Sequence, residues 1–214
     1  MKPITVTDEL QDYMEGLLPR RDAVLARMEK EAERENIPIV GPHEGALLGL
    51  LVRIAGARRV LELGTATGYS GIWLLRGTEG GELVTYELDR DRAARARENF
   101  EAAGLAARVQ VREEDALESL ERLEGDFDAC FHDLLNSLPS ERATERSFEL
   151  CLARLRPGGL LMADNALGRG SVARPDSRQA KNIGRWNQLV ARHPGLESVL
   201  VPIRDGVLVA RVRT

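Results

Sequence analysis

Apolar and polar positions change their rhythm along this chain. From about Asp8 to Glu35 the spacing is helical, with Leu10, Tyr13, Met14 and Leu17, then Val24, Leu25 and Met28, set among charges. Pro19 lacks a backbone donor and divides this stretch into two predicted helices. Residues 36–42 read as a loop, and His43 to about Ala55 as an apolar helix carrying Leu47, Leu48, Leu50, Leu51 and Ile54. Alternation then begins: strands are predicted near 59–63, 82–87, 108–112, 127–132 and 159–163, with helices near 69–76, 90–103 and 140–155 between them. That is the pattern of right-handed βαβ units on a parallel sheet. Two further strands, 198–203 and 207–212, are joined by Arg204-Asp205-Gly206, a hairpin turn that makes the sheet end antiparallel. Leu167 to about Ser177, rich in Gly, Arg, Ser and Pro, is either a disordered surface loop or a lid.

The first strand runs into a glycine turn, Val60-Leu61-Glu62-Leu63-Gly64-Thr65-Ala66-Thr67-Gly68-Tyr69-Ser70. A dinucleotide site wants G-x-G-x-x-G, but Ala66 stands where the second glycine belongs, which argues against a pyrophosphate. Acidic Glu62 repels phosphate and suits an ammonium group. Glu87 closes the next strand, where a carboxylate can accept both hydroxyls of a ribose. A ribose with an amino-acid end means S-adenosylmethionine; the other reading is an ordinary strand-turn-helix with two capping acids.

Composition narrows the setting. The 214 residues suit one domain over 1–214, with helices to residue 56 covering the site or forming a dimer and a cofactor-binding core over 57–214. Hydrophobic residues make up 43%, enough for a buried core, and a net charge of -4 gives no overall attraction to nucleic acid or anionic membrane. The lysines are Lys2, Lys30 and Lys181. Cys130 and Cys151 are too few for a disulfide framework and lie in apolar stretches, which fits a reduced, cytoplasmic setting. Met1 to Thr5 lacks the apolar core of a signal peptide, and no apolar run reaches the roughly 18 residues of a membrane span.

Three hard oxygen donors end two predicted strands, Asp133 after Phe127–His132 and Asp164 with Asn165 after Leu160–Ala163, and they converge if those strands are neighbours. Ligands collect at such strand ends in an open parallel sheet. Two carboxylates and an amide carbonyl suit Mg²⁺, Mn²⁺ or Ca²⁺ rather than zinc. A capping aspartate and a simple turn are the alternative.

Together with Tyr86-Glu87-Leu88-Asp89, Glu114-Asp115-Ala116 and Leu155 to Asn165, these segments resemble the cation-dependent class I O-methyltransferases, relatives of the catechol and caffeoyl-coenzyme A O-methyltransferases. The resemblance covers about residues 36–212. It implies an α/β, Rossmann-like class I methyltransferase fold: a seven-stranded, mostly parallel sheet with an antiparallel last strand and helices on both faces. It implies S-adenosylmethionine contacts at Val40, Glu62, Gly64, Thr65, Ser70, Glu87, Asp115, Ala116 and Asp133, a divalent cation on Asp133, Asp164 and Asn165, a small hydroxylated substrate and a homodimer. The family's usual lysine, placed to take the proton from the substrate hydroxyl, is Asn136 here, and an amide cannot take that proton.

The cation alone then acidifies the hydroxyl, or another group serves as base. His43, after the loop that lies against the cofactor in the family, joins Asp133 and Asn136 as a candidate catalytic residue. His132 points away from the Asp133 side by strand alternation, and Lys181 reaches the site only if the preceding loop folds over it. Trp73 either packs or borders the adenine, and Trp186 shares a helical face with Leu189 and Val190. The resemblance places the loop of Arg169 and Arg174 near the site opening, where they are candidates for contacting an acidic substrate. Alternatives to a catechol-type acceptor are a hydroxylated tRNA base, or a cofactor-binding protein without turnover, which Asn136 keeps open.

Overall fold

A computed structural model describes residues 6–214; the reading of Met1 to Thr5 falls outside the described residues. The N-terminal helices are α1 (Asp8–Gly16), α2 (Ala23–Glu35) and α3 (Gly41–Ile54). Thr7 and Asp22 cap the first two, each accepting a backbone N–H of the first turn. The break predicted at Pro19 lies between α1 and α2. Helix α3 begins two residues earlier than expected because Pro42 is compatible with a first helical turn.

The remaining elements alternate: β1 (Arg59–Leu63), α4 (Tyr69–Gly77), β2 (Glu82–Tyr86), α5 (Arg90–Ala102), β3 (Val109–Arg112), α6 (Ala116–Leu120), β4 (Phe127–His132), α7 (Glu141–Ala153), β5 (Leu155–Ala163), α8 (Arg178–Arg192), β6 (Leu196–Val201) and β7 (Val207–Val212). The seven strands form one sheet in the order β3-β2-β1-β4-β5-β7-β6, with β7 antiparallel to both neighbours. The order reverses between β1 and β4, which opens a crevice at their C-terminal ends.

Strand alternation divides the apolar residues between two cores. Leu61, Leu63, Val84, Tyr86, Cys130, Leu161 and Ala163 face a core shared with α6, α7 and α8. Val60, Leu83, Ala129, Phe131, Leu160 and Met162 face one shared with α2, α3, α4 and α5. Helices therefore cover both faces, and Cys130 and Cys151 are free and buried. Among the described residues no helix is long and apolar enough to cross a membrane.

Strand β6, at Leu196–Val201, lies two residues before its predicted place, and two further segments depart more. Strand β5 starts at Leu155, four residues early, because Leu155 pairs with Phe127 before the register jumps to Ala129 opposite Leu160. Asp128 fastens this bulge, accepting the N–H groups of Arg58 and Arg59 at 2.7 Å each and pairing with Arg156. The segment after Leu167 is not a loose loop: Gly168–Ala173 forms a kinked 3₁₀ turn against α8, whose full extent had no clear sequence boundary.

Candidate functional site

A cavity of about 940 Å³ opens over the C-terminal strand ends, from Glu87 and Asp115 at one end to Asp164 and Asn165 at the other. Gly64, at φ 99, sits on its wall between β1 and β4. A Cβ there would lie 2.8 Å from the Asp133 carbonyl, so this crossing requires glycine. The N–H groups of Gly64 and Thr65 both bond the Tyr86 carbonyl, at 3.1 and 3.0 Å, and fasten the turn to β2.

Glu87 lines the cavity and holds the turn from the other side. Its carboxylate accepts the N–H of Ala66 at 2.8 Å and that of Asp89 at 3.0 Å. Ala66 has φ 44, a left-handed conformation uncommon for alanine, so the Glu87 bond stabilises a strained position. Asp115 and Ala116 line the same end, Asp115 as the N-cap of α6.

Glu62, Thr65 and Ser70 lie beneath the turn and not on the cavity wall. Glu62 is fully buried and accepts the hydroxyls of Ser70 at 2.5 Å and Thr85 at 2.7 Å, while Thr65 and Thr85 share a 2.6 Å bond. Burial pushes its carboxyl up to about 7, the two hydroxyls opposing and the Glu87 charge adding to the shift. Val40 is likewise buried, its carbonyl bonded to Arg204, while its neighbour Ile39 lines the cavity.

At the other end the parallel ladder continues one residue past each strand. Asp133 N–H bonds Leu63 O at 2.9 Å and Asp164 N–H bonds His132 O at 3.1 Å, which sets Asp133, Asp164 and Asn165 side by side on the cavity wall. Asn165, at φ 60, turns the chain there. Burial and the neighbouring Asp164 hold the Asp133 carboxyl well above the usual range, and burial raises Asp164. Glu44 of α3, fully buried, bears on both. Its carboxyl is pushed up to about 9 by burial, then by the Asp164 charge, against Arg204 at 3.1 Å. Its second oxygen has no partner. Three acidic groups share one guanidinium, an excess of buried carboxyls over counter-charge. Among the described residues no cluster of three or more His, Cys, Asp or Glu is placed to hold a metal, so the fit to a cation rests on two carboxylates and the Asn165 amide.

Asn136, at the position of the family lysine, is tied into an amide chain: it donates to Asn165 Oδ1 at 2.6 Å and accepts from Gln179 Nε2 at 2.6 Å. The two histidines considered as bases, His43 and His132, stand apart from the cavity. His132 is fully buried, bonded to Ser147 at 2.6 Å and tilted against Trp186 at 4.4 Å between ring centroids, and burial pushes it down to about 3. His43 is half-buried with an unpartnered Nε2 and does not line the cavity. Lys181 and Arg174 are exposed and off the cavity wall, which Arg169 lines. Trp73 packs on α3, where a Cβ on Gly45 would fall 2.4 Å from its ring, and so does not border the nucleoside end.

Glu44, Arg204 and Gln179 carried no sequence signal. A glutamate in the first turn of an apolar helix reads as a capping acid, an arginine before Asp-Gly as a hairpin residue, and a glutamine at a helix start as solvated.

Residues 20–213 match the model of an O-methyltransferase family. The catechol O-methyltransferase of Niastella koreensis is 30% identical over 97% of this chain and 98% of its own length. That of Mycobacterium tuberculosis is 32% identical over 96% of each. Among solved structures, the Bacillus cereus O-methyltransferase in complex with S-adenosylhomocysteine superposes with a TM-score of 0.84 at 33% identity, over 96% of this chain and 97% of that one. The O-methyltransferase of tomaymycin synthesis from Streptomyces achromogenes, in complex with S-adenosylmethionine, gives 0.85 at 29% identity over 96% of each.

Proposed function

The chain belongs to the O-methyltransferase family and is an S-adenosylmethionine-dependent O-methyltransferase; from that premise we propose that its acceptor is a small catechol-like molecule and that a divalent cation assists the transfer. The observation that carries this reading is the convergence of Asp133, Asp164 and Asn165 on one cavity wall, with Glu87 at the other end. Glu87, fixed by two backbone N–H groups, is positioned to accept ribose hydroxyls. Asp115 and Ala116 edge the nucleoside end.

Asp133, Asp164 and Asn165 would hold the cation. A divalent ion bound there supplies Lewis acidity that lowers the pKa of a neighbouring hydroxyl and a template that orients it. The apolar side chains of Leu134, Leu138 and Pro139 exclude water from the aromatic part of an acceptor. Asn136 orients Asn165 and accepts no proton, and His43 and His132 lie off the cavity, so neither that amide nor those histidines take the hydroxyl proton. Orientation is the chain's own largest contribution to rate.

In this reading the helices before residue 57 cover the site, supported by Glu15 of α1, Glu29 of α2 and Pro42 of α3 on the cavity wall. The setting is cytoplasmic, supported by two free, buried thiols, and the assembly is a homodimer, supported by the exposed Leu50 and Ile54 of α3. The test is methyl transfer from labelled cofactor to a matched pair of phenols, one with vicinal hydroxyls and one with a single hydroxyl. Transfer to the vicinal diol alone is expected. Equal transfer to both, or transfer only to hydroxylated tRNA, contradicts the catechol reading, and no transfer despite cofactor and cation binding favours a non-catalytic protein.

A further inference from the structure

Four arginines line the cavity, and two are engaged by protein carboxylates: Arg21 by Glu29 and Arg204 by Glu44. Arg92 stands in the first turn of α5, on the nucleoside side. Arg169 lies four residues past Asn165, at the acceptor end, and its guanidinium has no hydrogen-bond or ion-pair partner among the described residues.

Its backbone is built for that place. Gly168, Arg169 and Gly170 have φ of 52, 53 and 83, three left-handed residues in succession. Glycine takes such a conformation freely, whereas arginine is strained there. The strain is held by the turn between β6 and β7: Arg169 N–H bonds the Asp205 carboxylate, Leu167 N–H the Asp205 carbonyl at 2.8 Å, and Ala166 N–H the Gly206 carbonyl at 2.9 Å. A fixed loop thus presents an uncommitted, planar, bidentate cation to the cavity that Asp133, Asp164 and Asn165 also line.

We propose that the acceptor carries a carboxylate on its ring in addition to vicinal hydroxyls, and that Arg169 recognises it; this rests on the catechol-type reading above. A guanidinium matches a carboxylate with two parallel charge-assisted hydrogen bonds. The Leu134 and Leu138 side chains supply an apolar wall for the ring between the two polar ends.

The test is calorimetric binding of 3,4-dihydroxybenzoate and of its neutral isostere 3,4-dihydroxybenzamide to full-length protein loaded with S-adenosylhomocysteine and Mg²⁺. The parent should bind the acid about tenfold or more tightly than the amide, the scale of a charge-assisted contact. In Arg169→Gln and Arg169→Gly the acid-to-amide ratio should fall toward one. The glycine variant accepts the left-handed backbone, so loss of the guanidinium is separated from loss of the loop. A parent ratio near one with both compounds bound overturns the proposal and leaves the catechol reading standing. A ratio that survives in both variants assigns the recognition elsewhere, binding of the amide without the acid overturns the proposal, and failure of both compounds to bind overturns it together with the catechol reading.

Discussion

Asn136 Nδ2 donates a 2.6 Å hydrogen bond to Asn165 Oδ1, so the residue that stands where the family places a basic lysine is a neutral brace on an oxygen proposed to hold the cation. Gln179 braces Asn136 in turn. Truncating Asn136 to alanine frees the Asn165 amide, and divalent-cation affinity should fall about 10–100-fold, the usual cost of losing a partner that orients a ligand. Calorimetric titration with Mn²⁺ measures it; an unchanged affinity means the amide chain is ornamental to the site.

The missing lysine also sets a substrate preference. Without a side-chain proton acceptor the enzyme should turn over acidic catechols fastest, and Asn136→Lys should raise turnover on less acidic ones. Turnover plotted against acceptor pKa should slope more steeply for the parent than for the variant. Equal slopes contradict the assignment.

Glu87 holds the turn and, in the proposed reading, the cofactor ribose. Glu87→Ala removes a charge-assisted acceptor and the anchor of Ala66 at φ 44, so affinity for S-adenosylhomocysteine should drop by about 1.5–3 kcal/mol. Calorimetry at fixed ionic strength checks this, and unchanged affinity places the ribose elsewhere.

Glu62 makes cofactor-free stability depend on pH. Its carboxyl, normally at 4.5, is raised to about 7 in the fold, chiefly by burial, so the folded state binds the proton more tightly than the unfolded chain. The stabilisation is complete below pH 4.5 and is lost as pH rises through 7, a swing of up to about 3 kcal/mol. Urea unfolding across that window should show the parent losing stability relative to Glu62→Gln, which keeps the shape without the titration. Parallel curves rule this out.

Arg204 fastens the β6–β7 turn to α3 through the Val40 carbonyl and Glu44. Arg204→Met leaves both oxygens without that donor and should lower stability by about 1.5–3 kcal/mol, read as a fall in the urea midpoint with an unchanged slope. A midpoint equal to the parent's shows that water replaces the guanidinium.

The sheet was legible because alternating apolar strands are separated by polar helices, and the strand ends alone placed Gly64, Glu87, Asp133, Asp164 and Asn165. The early start of β5 was hidden because Arg156-Pro157-Gly158-Gly159 reads as a turn, and only Asp128, across the sheet, turns it into a bulge. Glu62 looked like a ligand group because it precedes a glycine turn. Alternation puts it on the face opposite Leu61 and Leu63, where Thr85 pairs beside it and closes it in. Glu44 and Arg204 meet across 160 positions of sequence, a separation at which local pattern carries no information.

Cation dependence is tested most directly by methyl transfer to a catechol before and after excess chelator, with Mg²⁺ then restored. Transfer should stop with chelator, return with Mg²⁺, and be absent throughout in a folded Asp164→Ala protein. Full transfer in excess chelator would show that Asp133, Asp164 and Asn165 shape the cavity without holding an ion.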